Sequence, residues 1–170
     1  MSILTKMTTV ALVLAMAACT NAGRLGGNGA NGAGAGSGAI VPGSANDPTS
    51  PAYFAQAVGD RVLFAVDQST LSPEGQTVLD GQARWLGTNA DYVAVIEGHA
   101  DEQGTREYNL ALGARRANAV REYLISRGVA GNRLKTISYG KERPIEICSE
   151  EACYAKNRRA VTVLSGGLTG

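Results

Sequence analysis

The stretch that decides the fold is EGHADEQGTREYNLALGARRANAVREYL, residues 97–124. It continues an apolar run that begins at Tyr92, and the run predicts a strand over residues 92–98 whose end is polar. From residue 105 onward apolar residues recur at helical spacing, which predicts a long helix over residues 105–127 that Gly128 ends. A strand, a short polar loop and a helix therefore form the first predicted unit.

Regular elements alternate through the rest of residues 51–170. Ser72, Pro73 and Glu74 supply an N-cap, a proline at the first helical position and an acidic first turn, so they mark a helix start. The order strand, helix, strand, helix, strand, short helix, strand predicts an α/β (α+β) two-layer sandwich, with a four-stranded mixed sheet and helices on one face. The predicted strands are residues 61–66, 92–98, 133–139 and 160–164, and the helices cover 52–57 or begin at Ser72, Thr105 and Ser149.

The first 19 residues have the pattern of an export signal. Lys6 gives a short positive region and residues 7–15 an apolar run, which is too short for a bilayer span of about 20 residues. Met16-Ala17-Ala18-Cys19 resembles a bacterial lipobox. This implies that residues 1–18 are a signal peptide and that Cys19 is lipidated, with an ordinary secreted protein cut near residue 18 as the alternative.

Residues 20–48 consist almost entirely of Gly, Ala, Asn and Ser with almost no charge. Such a segment cannot bury enough apolar surface to fold. We therefore predict that residues 19–50 are the lipidated cysteine and a flexible tether, and that residues 51–170 are the folded domain. A glycine-rich coil of about 30 residues has a root-mean-square span of roughly 30 Å.

The charge of the chain limits its binding partners, and its cysteine content limits its disulfides and metal sites. The chain has 16 Lys and Arg against 15 Asp and Glu, a formal net charge of +1, so it has no broad attraction to nucleic acid. After Cys19, only Cys148 and Cys153 remain, and they are a candidate disulfide in an oxidising compartment. Two free thiols are the alternative. A zinc site is disfavoured because the chain has one histidine and no second cysteine pair.

Three polar residues at the end of the predicted second strand raise the question of catalysis. Glu97, His99 and Asp101 share one side of the strand if its alternation continues. They are candidates for metal ligands, or for the acid and base of a hydrolase. The sequence offers no other nearby histidine or cysteine and no obvious nucleophile. A simpler interpretation is that His99 is structural and fixes the loop by hydrogen bonds from both ring nitrogens.

The long helix carries one charged residue in its buried stripe. An unpaired Arg116 would cost several kcal/mol there, so it needs an anion, which either Asp101 or a ligand carboxylate can supply. A cleft with Asp101, Arg116, the loop of residues 103–105 and free helix-start amides suits a zwitterion such as the end of an amino acid. The alternative is an internal Asp101–Arg116 salt bridge without a ligand. The other predicted stripe members are Tyr108, Leu112, Val120, Tyr123 and Leu124.

Residues 97–124, together with ISYGKERP at 137–144 and AKNRRAV at 155–161, closely resemble the OmpA-like peptidoglycan-binding domain family. The resemblance spans about residues 62–163. It implies an OmpA-like fold without catalysis or cofactor, and a site for the diaminopimelate of the peptidoglycan stem peptide. Asn109 and the Asn157-Arg158 pair also match family positions, where structural roles are expected. The ligand residues that the resemblance implies are Asp101 and Arg116, with further contacts from Val66, Asp67, Gly104, Thr105 and Leu112.

The resemblance also implies a place in the cell. Its lipid-anchored members are outer-membrane proteins that face the periplasm and tether that membrane to the wall, within the Tol-Pal system of envelope integrity and cell division, with TolB as a partner. Thr20 after Cys19 is similar to the pattern sorted to the outer membrane. Two alternatives stay open: a wall hydrolase that uses Glu97, His99 and Asp101, and a structural lipoprotein whose Asp101 and Arg116 satisfy only each other.

Overall fold

The structure, a computed structural model, describes residues 40–166, so the predicted signal peptide, Cys19 and most of the tether lie outside the described residues. The sheet order is β1-β4-β2-β3, with β2 and β3 parallel and the other pairs antiparallel, which confirms the predicted mixed four-stranded sheet. The elements are α1 Pro51–Tyr53, its π-helical continuation Phe54–Gly59, β1 Arg61–Leu63, α2 Pro73–Thr88, β2 Tyr92–His99, α3 Arg106–Ser126, a 3₁₀ turn Gly131–Arg133, β3 Leu134–Gly140, α4 Glu151–Asn157 and β4 Arg159–Gly166.

Both long helices begin at the predicted residues. The Ser72 hydroxyl accepts a hydrogen bond from the Gly75 amide at the start of α2, and the Thr105 hydroxyl accepts one from the Tyr108 amide at the start of α3. Just beyond α3, Gly128 has a φ of 95°, in the left-handed region that glycine favours. Local capping signals therefore place the loop before α3 where the sequence predicts it.

The first strand is shorter than predicted. It was expected over residues 61–66 but ends at Leu63, which pairs with Arg159 at the start of β4. Among the described residues 40–166, β1 pairs with β4 alone, and the last backbone hydrogen bond between the two segments runs from the Phe64 amide to the Arg158 carbonyl. The chain then turns, and Asp67 adopts a left-handed φ of 56°. The residues after Phe64 thereby form a loop that reaches the end of β2.

Helices α2 and α3 pack on the sheet face that carries Ala94 and Ile96, and these side chains form one core with Leu79, Val120 and Leu124. Val93 and Val95 alternate with them along β2 and are half-buried on the opposite face. This arrangement is the predicted two-layer sandwich. None of the helices within residues 40–166 has the length and apolar character needed to cross a bilayer.

Helix α3 lies unusually close to the sheet because two glycines face each other. An added Cβ on Gly98 of β2 would overlap the carbonyl of Gly113 in α3, and one on Gly113 would lie 2.8 Å from the Gly98 oxygen. The missing side chains let the two backbones touch. This contact holds the first half of α3 beside the end of β2, near the predicted ligand residues.

The folded part begins before residue 51. The Trp85 indole donates to the Pro48 carbonyl at 2.8 Å, and the Tyr92 hydroxyl donates to the Thr49 carbonyl at 3.1 Å. Ser50 is buried and caps α1. The end of the segment that the sequence assigns to the tether is therefore attached to the domain, because a tryptophan and a tyrosine provide hydrogen bonds that composition does not reveal.

Cys148 and Cys153 form a disulfide, and their Cα atoms lie 6.1 Å apart. The bond joins the loop before α4 to the first turn of that helix. Asn157, at the other end of α4, is fully buried and accepts hydrogen bonds from the Ile145 and Glu146 amides. The loop is thus closed by a covalent bond at one end of α4 and by hydrogen bonds at the other.

Candidate ligand-binding cleft

A cleft of about 290 Å³ lies where the loop after β1 and the end of β2 meet the first turns of α3. Thr105 and Arg116, both predicted to touch the ligand, lie outside the lining. Tyr108, predicted in the buried stripe of α3, is instead 44% exposed and forms one wall, because the stripe begins one residue later, at buried Asn109. The lining residues are Val66, Asp67, Asp101, Gln103, Gly104, Tyr108, Asn109 and Leu112.

A larger cleft, of about 590 Å³, lies between the π-helical turn after α1 and α2. Arg84 is the one charged residue in its lining, which is otherwise apolar or neutral. It offers a single charge and no carboxylate to a zwitterion. The smaller cleft, with two carboxylates in its lining, is therefore the better candidate for the chemistry that the sequence predicts.

Asp101 is nearly buried, and its partner is Arg158. One carboxylate oxygen lies 3.2 Å from Nη1 of Arg158, and the other accepts a hydrogen bond from the Gln103 amide at 3.3 Å. The alternative of an internal salt bridge between Asp101 and Arg116 is therefore contradicted. The alternative of a structural lipoprotein in which these two residues satisfy only each other is contradicted as well.

Arg116 is fully buried in α3, as predicted, but three backbone carbonyls take the place of the expected anion. Its guanidinium donates to the carbonyls of Gln68 at 2.8 Å, His99 at 2.8 Å and Ala65 at 3.1 Å. Burial lowers the pKa of Arg116 to about 10, against a smaller opposing effect of Asp101, so the side chain stays cationic at neutral pH. Carbonyl dipoles thus compensate the buried positive charge of Arg116, a role that we had expected a carboxylate to fill.

The positions of the three carbonyls in the chain show how Arg116 supports the cleft. Ala65 and Gln68 flank the two residues, Val66 and Asp67, that the loop after β1 contributes to the lining. His99 precedes Asp101 by two positions. One buried side chain therefore clamps both loops, and its positive charge lies just behind the lining, close enough for Asp101 to affect its pKa.

A second polar contact joins the walls of the cleft. The Tyr108 hydroxyl donates a hydrogen bond to the Asp67 carboxylate, and this bond raises the pKa of Tyr108. Arg115 lies 5.9 Å from the centre of the Tyr108 ring. Tyr108 was not predicted as a wall residue, although its position one turn after the capping Thr105 was an available signal.

The loop between β2 and α3 is braced from two sides. Asn109, buried in α3, donates to the Gln103 carbonyl at 2.7 Å, which agrees with the structural role expected for it. Lys141 donates to the Gly104 carbonyl at 2.7 Å, and Gly104 has a φ of 91°. Thr105 shapes this loop as the cap of α3.

His99 does not act as predicted. It is buried, and within residues 40–166 neither ring nitrogen has a hydrogen-bond partner; Nε2 lies 3.6 Å from a Glu97 oxygen, and the ring stacks on Tyr139 at 5.5 Å. Burial, aided by Arg159 and Arg143, lowers its pKa to about 4. In the part of the chain that the structure describes, no three His, Cys, Asp or Glu side chains form a metal-ligand group. His99 and Glu97 thus lie close to each other, but Asp101 does not join them in one group.

The sheet order and the cleft beside α3 define a class of domain, and comparison with known proteins identifies it. A family model described as the OmpA family matches residues 63–158. The peptidoglycan-associated lipoprotein of Rhizobium meliloti (strain 1021) is 52% identical over 94% of this chain and 87% of its own length. That of Pseudomonas aeruginosa is 42% identical over 88% of this chain and 89% of its own length.

Solved structures agree with this assignment. The crystal structure of the peptidoglycan-associated lipoprotein from Burkholderia pseudomallei matches with a TM-score of 0.63 and 38% identity, over 71% of this chain and 98% of that chain. The C-terminal domain of Helicobacter pylori MotB, at 23% identity and a TM-score of 0.59 over 62% of this chain and 84% of that chain, shares the fold. The chain belongs to the OmpA family and, within it, to the peptidoglycan-associated lipoproteins.

Proposed function

We propose that this protein is a non-catalytic lipoprotein that binds peptidoglycan non-covalently, through the diaminopimelate of the stem peptide. The observation that carries the proposal is the cleft: Asp101 is part of its lining, and the Arg116 cation lies just behind that lining. At about 290 Å³ the cleft lies near the lower end of the usual range for small-molecule sites, about 300–1,000 Å³. That size suits the end of a side chain.

The free end of diaminopimelate carries an ammonium and a carboxylate. We assign the ammonium to Asp101, with Asp67 as a second acceptor, and the carboxylate to the positive potential of Arg116 and the amides at the start of α3. Arg116 is fully buried, lies outside the lining and donates to three carbonyls, so it acts on the ligand carboxylate through its positive charge behind the cleft wall. Val66, Gly104 and Leu112 shape the walls, and Thr105 orients the helix start.

The competing proposal of a wall hydrolase gains no support from the site. His99, its best general base, is buried beside Tyr139, and its pKa of about 4 leaves it a weak base. Asp101 pairs with Arg158 and is not grouped with His99 and Glu97. Binding without bond cleavage is the chemistry that this arrangement favours.

We further propose that Cys19 carries the lipid anchor, that the anchor lies in the outer membrane and that the domain faces the periplasm. The lipobox-like residues 16–19 and the lipoprotein names of the relatives support the anchor. The family resemblance supports TolB and other components of the Tol-Pal system as partners in envelope integrity and cell division. With residues 20–48 as a tether, the domain would reach the wall while the lipid anchor stays in the membrane.

Binding of the full chain in detergent to purified wall sacculi tests the proposal. We expect Asp101→Asn to lower the affinity for sacculi with diaminopimelate by more than about tenfold, since a partly buried charge contact is lost. Asp91→Asn, which removes an exposed carboxylate before the other end of β2, is the matched control and should bind like the parent. Equal binding of parent and Asp101→Asn, equal binding to lysine-type sacculi, or release of soluble wall fragments would each refute the proposal.

A further inference from the structure

Behind the cleft, one buried guanidinium is shared between two carboxylates. The side chain of Arg158 is 5% exposed, and its Nη1 lies 3.2 Å from Asp101 and 3.4 Å from Glu151. Its Nη2 donates to the other oxygen of Glu151, and its Nε donates to the Phe64 carbonyl at 3.2 Å. The hydrogen bond from Arg158 lowers the pKa of Glu151, so this carboxylate is ionised at neutral pH.

The sharing has an electrostatic consequence for Asp101. Glu151 takes two contacts from Arg158, whereas Asp101 takes one, so the three groups together carry a charge of −1 with the cation drawn toward Glu151. When a second carboxylate pairs with the same arginine, it offsets part of the positive charge of that arginine. The first carboxylate then keeps more of its negative potential toward the cleft. Without Glu151, the full charge of Arg158 would act on Asp101 and compete with any cation in the cleft.

Glu151 is held in place although its own side chain is 65% exposed. It is the first residue of α4 and lies within the loop that the Cys148–Cys153 disulfide closes. At the far end of α4, Asn157 donates to the Glu146 carbonyl at 2.8 Å and to Glu102 at 3.0 Å. The backbone under Glu151 is therefore fixed relative to the loop that follows Asp101.

We infer that Glu151, fixed by the Cys148–Cys153 disulfide, is a positioning residue that keeps the Asp101 carboxylate available to a ligand ammonium by sharing Arg158 and offsetting part of its positive charge. This inference rests on the proposed function, because it concerns how the same cleft recognises its ligand. It gives the disulfide loop, which forms no part of the cleft lining, a role in selecting stem peptides whose side chain ends in an ammonium.

Titration calorimetry on the full chain in detergent tests the inference with two synthetic stem peptides. One ends in diaminopimelate, and the other ends in 2-aminopimelate, which lacks the side-chain ammonium. We expect Glu151→Gln to weaken binding of the first peptide on the order of fivefold and to leave binding of the second unchanged. Glu150→Gln removes the neighbouring charge and is the matched control, with parental affinity for both peptides. Cys148→Ser with Cys153→Ser should act in the same direction as Glu151→Gln.

The outcomes separate this inference from the proposed function. If Asp101→Asn binds the diaminopimelate peptide like the parent, the proposed function fails. If Asp101→Asn weakens binding but Glu151→Gln does not, only the inference fails. A loss that affects both peptides equally, with a lower free energy of unfolding, would show a merely structural role and would also overturn it. Glu151→Asp, which keeps the carboxylate, should recover most of the preference for the ammonium-bearing peptide.

Discussion

Arg116 shows how a charge is kept in the core of this small domain. Its donors meet carbonyls of residues 65, 68 and 99, and its charge lies 5.2 Å from the Phe64 ring centre. Peptide dipoles and an aromatic face replace water without requiring a buried anion. Arg116 therefore does not pair with Asp101, and the Asp101 carboxylate pairs with Arg158 instead.

Arg116→Ala should destabilise the fold strongly. The substitution leaves three carbonyls without their donor and opens a cavity, so we expect a loss of at least about 3 kcal/mol in the free energy of unfolding. Urea denaturation measures it. Arg115→Ala, which removes the exposed neighbour, should change the same quantity by less than about 0.5 kcal/mol. Similar values for the two variants would contradict the clamp role.

His99 should make stability depend on pH in the acid range. Burial lowers its pKa from 6.5 to about 4 in the folded protein, so the unfolded chain binds more protons between these values. Stability is complete above pH 6.5 and falls as the pH drops toward 4, by up to about 3 kcal/mol. Denaturation across this range should show a shallower fall for His99→Phe, which keeps a ring against Tyr139. Parallel curves for parent and variant would rule the effect out.

At the scale of single elements, the two ends of α3 could be predicted from the sequence, but its close packing on the sheet could not. Its start at Thr105 and its end before Gly128 follow from short-range signals, because capping depends on residues within one turn. The tight contact between Gly98 and Gly113 was not predicted, because the two glycines belong to different elements. The early end of β1 was missed for a similar reason: it depends on where β4 begins.

Alanine at either glycine of this contact should separate α3 from the sheet. We expect Gly113→Ala and Gly98→Ala to lower the free energy of unfolding by about 2–4 kcal/mol, because backbone atoms must move apart. Gly87 in α2 has open space around it, so Gly87→Ala should be neutral or stabilise by up to about 1 kcal/mol. Thermal and urea unfolding of the three variants provide the comparison, and equal effects would show that the contact is not tight.

At the scale of the whole molecule, contacts between distant segments account for the part of the site that sequence reasoning missed. Asp101 and Arg158 are 57 positions apart, and Arg116 reaches back 51 positions to Ala65. The sequence placed Asp101 at a strand end and Arg116 in a buried stripe because those properties are periodic. Which cation meets which acceptor depends on how β1, β4 and α3 converge, and no local pattern encodes that.

The attachment of residues 48–50 has a mechanical consequence. Thr49 is held by Tyr92, the first residue of β2, whereas Asp101 lies two residues after the end of that strand. Eight residues of extended chain separate the two points by roughly 26 Å. If the wall pulls on the cleft while the membrane pulls on the leading segment, part of the tension passes along an inner strand that is bonded on both sides. Its many hydrogen bonds would be loaded in shear and share the force, whereas a strand peeled from an edge would lose them one at a time.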